Sequence, residues 1–120
     1  MLFFGVLFLV GCEYSFVQQT EITPPTPDPD NPISFAAEIV PIFTSRCLDC
    51  HGVGATSPDL TAANAYASIT AMSLVNTTDP ASSELYNLIA PPAVDHGWRY
   101  YTASQASLVL LWIQEGALNN

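Results

Sequence analysis

Apolar and polar positions divide the chain into three regimes. Residues 2–10 form an apolar run interrupted only by Gly5. Residues 13–32 are polar and end in Thr23-Pro24-Pro25-Thr26-Pro27-Asp28-Pro29-Asp30-Asn31-Pro32, a proline density that removes backbone donors and favours extended chain over helix. From residue 33 onward apolar residues return at three- and four-residue intervals, the period of helices packed along one face.

That last stretch predicts a series of helices and no sustained strand. The first begins at Ser34, with Phe35, Ile39, Ile42 and Phe43 on one face, and Pro41 either bends it or marks its effective start. Gly52-Val53-Gly54 and Ser57-Pro58 read as a loop, followed by a short helix over about 62–69 capped by Thr61. Asp79-Pro80 supplies an N-cap and a proline at the first helical position, ahead of a stripe of Leu85, Leu88 and Ile89. Pro91, Pro92 and Gly97 mark another loop. The last helix has the fullest signature: Thr102-Ala103-Ser104-Gln105 fits a capping box, Leu108, Leu111 and Trp112 share a face with Val109 and Ile113 beside it, and Gly116 is the stop. The fold class expected is all-α.

One short motif gives these helices a purpose. Cys47-Leu48-Asp49-Cys50-His51 has the C-x-x-C-H spacing to which a c-type haem is attached. Two thiols three residues apart lie on one side of a helical turn, where both can add to the vinyl groups along one porphyrin edge. His51 then falls beneath the iron as its proximal ligand. A zinc knuckle needs four donors, yet only Cys12 and His96 remain beyond these three, and a thioredoxin-like pair should follow a strand that the sequence lacks. The motif occurs once, so one covalent haem c is expected. In so small a domain it would supply missing apolar interior, leaving the haem-free chain poorly folded. Phe35, Phe43, Tyr66, Tyr86 and Trp112 are candidates to pack around it, or to form an ordinary core instead.

Charge narrows the partners. Arg46 and Arg99 are the only cations against eleven acidic residues, a formal charge of −9, which argues against nucleic acid. Such a protein is steered toward a redox partner with a basic docking face, unless the acid serves solubility alone. Arg46 and Arg99 are candidates to pair with the haem propionates, or to stand in solvent.

The apolar run at residues 2–10 has the length of a signal-peptide core and is too short to span a bilayer. Leu9-Val10-Gly11-Cys12 resembles the lipobox of bacterial lipoproteins, which implies cleavage before Cys12 and lipidation of that cysteine. An ordinary signal peptide or an uncleaved anchor is the alternative. No Lys or Arg precedes the run, which leaves two readings of Met1, the true start or a start downstream of it. The expected organisation is a lipoprotein-type signal peptide at 1–11, a lipidated Cys12 with a proline-rich tether at 12–32, and a monohaem domain at 33–120. A tether of about twenty residues at about 3.1 Å each would reach roughly 60 Å if fully extended. Haem attachment and lipidation both imply the periplasmic side of a bacterial membrane, with the inner and outer membranes equally open.

From residue 33 to 120 the chain resembles a class I monohaem cytochrome c domain of a bacterial exported lipoprotein. The resemblance rests on the apolar helix before Cys47-x-x-Cys50-His51, on Asp59-Leu60-Thr61, on Asp79-Pro80-Ala81-Ser82-Ser83-Glu84-Leu85-Tyr86, and on Trp112-Ile113-Gln114-Glu115-Gly116-Ala117. It implies a small helical fold wrapped around one covalently attached haem. The first and last helices would cross beside it, with Phe43 or Ile39 against Trp112 and Leu108.

Domains of that family often close the iron with a methionine before a Pro-Pro step, but here the corresponding stretch is Ala90-Pro91-Pro92. The same loop holds His96, followed by Gly97, whose freedom suits a tight turn beside a porphyrin. His96 is therefore the expected distal ligand, with Met72 the runner-up and an open site the remaining alternative. Two imidazoles imply a lower potential than methionine ligation. The function expected is that of a membrane-tethered electron carrier rather than an enzyme. A small peroxidase, a gas or redox sensor with an open distal side, and a haem-stapled docking module for a larger redox enzyme are the competing readings.

Overall fold

The computed structural model describes residues 26–120 apart from Val94, Asp95 and Trp98. The signal peptide expected at 1–11, the lipidation expected at Cys12 and most of the tether expected at 12–32 lie outside the described residues. Those that are described fold into short helices with no strand, and no helix among them is long and apolar enough to cross a membrane.

The order is a π-helical turn at Phe35–Ile39, α1 at Val40–Arg46, α2 at Leu48–His51, α3 at Ala65–Ala71, a 3₁₀ turn at Pro80–Ser82, α4 at Glu84–Asn87 and α5 at Ala103–Gln114. The expected first helix is thus two elements in series. Val40 N–H reaches back five residues to Phe35 O, and Pro41 stands in the first turn of α1. A proline ring clashes with the carbonyl four residues back in a regular helix, and the widened turn ahead of Pro41 relieves that clash.

Free backbone donors at the start of this assembly are satisfied from the other end of the chain. Asn120 accepts from Phe35 N–H through its side chain (2.9 Å) and from Ala36 N–H through its carbonyl (2.9 Å). The Glu115 carboxylate accepts from Ile33 N–H at 2.7 Å and from Asp28 N–H at 3.3 Å. The end of the tether is therefore pinned to the C-terminus of α5, which answers the orphan donors of a helix start.

α5 forms as its sequence dictates. Thr102 Oγ1 accepts from Gln105 N–H and the Gln105 side chain accepts from Thr102 N–H, a complete capping box. Gly116, at φ 99°, ends the helix; Ala117 N–H then reaches Trp112 O while Gly116 N–H reaches Ile113 O, the paired bonds of a Schellman stop. Val109, Leu111, Trp112 and Ile113 are buried, whereas Leu108 is only half-buried. Burial on several sides of α5 makes it the centre of the core.

Two other expectations need correction. The helix predicted over 62–69 runs from Ala65 to Ala71, because Thr61 donates its hydroxyl to Asp59 Oδ1 (2.7 Å) rather than capping. The helix predicted from Asp79-Pro80 is broken at Ser83, whose backbone is extended (ψ 127°). Ser83 Oγ accepts from Asn76 N–H (2.9 Å) and can donate to Asn76 O (3.3 Å), so a buried hydroxyl staples the preceding loop and takes its own residue out of the helix.

The aromatics expected around a porphyrin mostly pack on one another. Phe35 meets Tyr66 and Trp112 at centroid distances of 5.2 Å each, and Phe43 at 6.3 Å. Ile39, Phe43, Val109, Trp112 and Ile113 are fully buried in the same cluster. Trp112 Nε1 donates to Leu118 O (2.9 Å) and Tyr66 Oη to Ala117 O (3.0 Å), so both polar handles are satisfied. Replacing Trp112 with Ala should cost about 3–5 kcal/mol and Thr102 with Ala about 1 kcal/mol. Urea unfolding of the purified variants measures both, and equal losses would contradict this division between core and cap.

Candidate functional site

The C-x-x-C-H motif occupies the junction of two helices. Cys47 ends α1 and opens α2, and Cys50 N–H and His51 N–H both bond Cys47 O (3.1 and 2.8 Å). That turn keeps both thiols on consecutive parts of one short helix. Cys47 is half-buried and Cys50 exposed, and both are free. Burial pushes the Cys47 thiol up, a tendency that the nearby Arg99 and Arg46 guanidinium groups oppose.

The chain then turns back and supplies carbonyls to His51. Thr56 N–H bonds Cys50 O (3.0 Å) and Leu60 N–H bonds His51 O (2.8 Å), which folds the intervening loop over the imidazole. His51 Nδ1 lies 3.0 Å from Thr56 O and 3.1 Å from Pro58 O. A carbonyl only accepts, so Nδ1 carries the proton and Nε2 keeps its lone pair. His96 repeats the arrangement with Nδ1 at 3.3 Å from Arg99 O. Both rings are thereby prepared as Nε2 donors.

They also lie close together. The His51 and His96 ring centroids are 5.9 Å apart and their planes within 18° of parallel, a near-parallel arrangement at a centroid separation that offset ring pairs also span. A metal held about 2 Å from one nitrogen of each ring would put the centroids roughly 6 Å apart. Residues 45 positions apart in sequence thus meet at the spacing of two axial ligands.

Two cavities flank this pair and share Cys47, His51, Ile89 and His96 in their walls. They hold about 580 and about 690 Å³ of atom-free space, open mouths included. One adds Cys50, Arg46, Arg99 and Tyr101; the other adds Leu60, Leu74, Leu85 and Leu88. This is a largely apolar cleft with a few placed polar groups, the usual character of a cofactor site. None of Phe35, Phe43, Tyr66, Tyr86 and Trp112 lines either cavity, so the expected aromatic lining is corrected to Tyr100 and Tyr101. Tyr101 is buried, its hydroxyl donates to Leu85 O (3.2 Å), and burial pushes its ionisation far upward, so it stays neutral.

The donor set discriminates between cofactors. Among the described residues no three His, Cys, Asp or Glu side chains gather as a metal-ion group. Two imidazoles and two thiols on the walls of adjoining cavities are a donor set that a covalently attached haem would use. The residues present therefore fit a haem: Cys47 and Cys50 as thioether anchors, His51 and His96 as axial donors. Met72, 46% exposed, also lines the second cavity.

The structure brings the four residues singled out in the sequence together around adjoining cavities, with supports that the sequence did not announce. The carbonyls of Thr56, Pro58 and Arg99 orient the rings, and no side-chain pattern announces a carbonyl. Asp59 holds the turn behind Pro58: its carboxylate accepts from Thr61 Oγ1 (2.7 Å), Thr61 N–H (3.0 Å) and Asn64 Nδ2 (2.8 Å), while Asp59 N–H bonds Ser68 Oγ (2.8 Å). Arg99 places its guanidinium on Asp49 and on Arg46 O, where sequence reasoning considered the propionates or solvent.

Hydrogen bonds from the Thr61 hydroxyl and N–H and from the Asn64 amide hold the Asp59 carboxyl below the usual carboxylate range. Its stabilising contribution is present above the unfolded value of about pH 4 and is lost as pH falls through the lower folded value. Asp59→Asn should therefore flatten the acid limb of stability against pH, measured by urea midpoints between neutrality and pH 3; curves that stay parallel would contradict this. No family model, curated protein or solved structure matches this chain.

Proposed function

We propose that this chain is a single-haem electron carrier of the cytochrome c kind, held on the periplasmic face of a bacterial membrane by a lipid on Cys12. The observation that carries the proposal is the opposed pair His51 and His96, 5.9 Å apart beside two free cysteines at haem-attachment spacing. Bound there, a haem supplies one-electron chemistry between ferric and ferrous iron.

The residues of the chain do the remaining work. Cys47 and Cys50 would hold the cofactor's edge through thioether bonds, which would remove dissociation as a route of loss. His51 and His96 would hold its iron through Nε2, since the Nδ1 atoms face the carbonyls of Thr56, Pro58 and Arg99. Saturated coordination suits electron transfer, because little rearranges between oxidation states. Leu60, Leu74, Leu85, Leu88 and Ile89 give the cleft an apolar wall, and their low polarity favours the less charged form of the site.

The acidic exterior suits a redox partner with a basic docking face, and nucleic acid is a poor match for a charge of −9. The proline-rich tether gives the domain reach from the membrane surface.

Absorption and paramagnetic resonance spectra of the purified protein test the ligation. The expected result is a low-spin iron in both oxidation states that does not readily take up carbon monoxide. His96→Ala should turn the ferric form predominantly high-spin and open it to carbon monoxide, while Met72→Ala leaves the spectra unchanged. The reverse pattern would move the distal ligand to Met72. A high-spin wild type that binds carbon monoxide rapidly would replace the carrier by a peroxidase or sensor.

A further inference from the structure

Arg99 touches both halves of the site. Its backbone carbonyl accepts from the His96 ring at 3.3 Å. Its side chain crosses to the attachment motif, where Nη1 donates to Arg46 O at 2.8 Å and Nη2 pairs with the Asp49 carboxylate. Asp49 lies between the two haem-anchoring cysteines. The Arg99–Asp49 pair is the ion pair formed between described residues, in a chain with only two cations.

Other ties on the loop lead elsewhere. Tyr100 Oη donates to Gly97 O (2.6 Å), which closes the loop on itself, and Tyr101 N–H donates to Ile89 O (3.1 Å). Neither joins the loop to the Cys47–His51 turn. The side chain of Arg99 makes that join.

We propose that Arg99 is a positioning residue that clasps the His96 loop to the haem-attachment turn through Asp49, and that this clasp sets how readily the distal iron position opens to a small neutral ligand. The proposal rests on the haem reading above and adds a control element to it. The two side chains are 32% and 70% exposed, so the pair is screened by salt and weak enough to open. Closure of the distal side is then a reversible equilibrium that ionic strength, or a charged partner competing for Arg99 or Asp49, can shift.

The test uses the haem-loaded full chain and carbon monoxide as the probe, because the gas binds ferrous iron only after the distal imidazole has left. Asp49→Asn and Arg99→Gln should each raise the observed rate of carbon monoxide binding about two- to fivefold, the range of a part-exposed ion pair. Added sodium chloride should accelerate the wild type and leave both variants nearly flat. The exchanged pair D49R/R99D should return the rate and salt response toward wild type, which loss of packing alone would not allow. If Asp49→Asn and Arg99→Gln match the wild type in rate and salt dependence while His96→Ala binds the gas quickly, the clasp is wrong and the haem reading stands. If the wild-type chain carries no covalent haem, both are overturned.

Discussion

Two imidazole N–H groups donated to backbone carbonyls are the constraint on which the site depends. Without them each ring could turn, or present either nitrogen. With them, His51 and His96 both keep Nε2 as a lone-pair donor and hold their planes nearly parallel across 5.9 Å. The carbonyls come from backbone that is itself held in place: the 52–60 loop is closed by bonds to Cys50 O and His51 O and braced by Asp59, and the His96 loop is clasped by Arg99. Ring orientation is thus a property of loop closure more than of the helices.

The helices supply what loops cannot. α5, buried on several sides, carries the aromatic cluster of Phe35, Tyr66 and Trp112, and the chain's end ties off the first turns through Asn120 and Glu115. That cluster is continuous with the cleft, because Leu60, Leu74, Leu85 and Tyr101 belong to the same core and also wall the cavities, so the core of this small chain ends on an apolar space that is left to be filled. A domain of this size gains little from burial by itself, and a large flat apolar group seated in the cleft would extend the interior from the cluster side to the Leu60, Leu74 and Leu85 side. Folding and cofactor retention would then be coupled.

How much of this was legible depended on whether a feature is written in side chains. Thr102, Gln105 and Gly116 encode both ends of α5 through local hydrogen bonding and φ, and the structure matches them. The spacing Cys47-x-x-Cys50-His51 fixed the attachment turn, and the Pro91-Pro92 loop without a methionine directed attention to His96. Less local features were hidden. Pro41 signalled a disturbance but not its form as a π-helical turn, and Asp79-Pro80 looked like a helix start because nothing at Ser83 advertises a bond to Asn76. The aromatics were expected either around the cofactor or in an ordinary core, and spacing alone could not choose; three-dimensional packing put Phe35 against Trp112 in the core. Arg99 and Asp49, fifty positions apart, could be paired only once the chain was folded.

The central claim is that a porphyrin is covalently bonded to Cys47 and Cys50. Its most direct test is the intact mass of the exported protein after denaturation in acid, with visible absorbance recorded on the same chromatographic peak. The account predicts one haem mass added to the polypeptide and absorbance that co-elutes with it, both lost when Cys47 and Cys50 are replaced by Ser. A colourless chain of bare polypeptide mass that is nevertheless fully folded would contradict it.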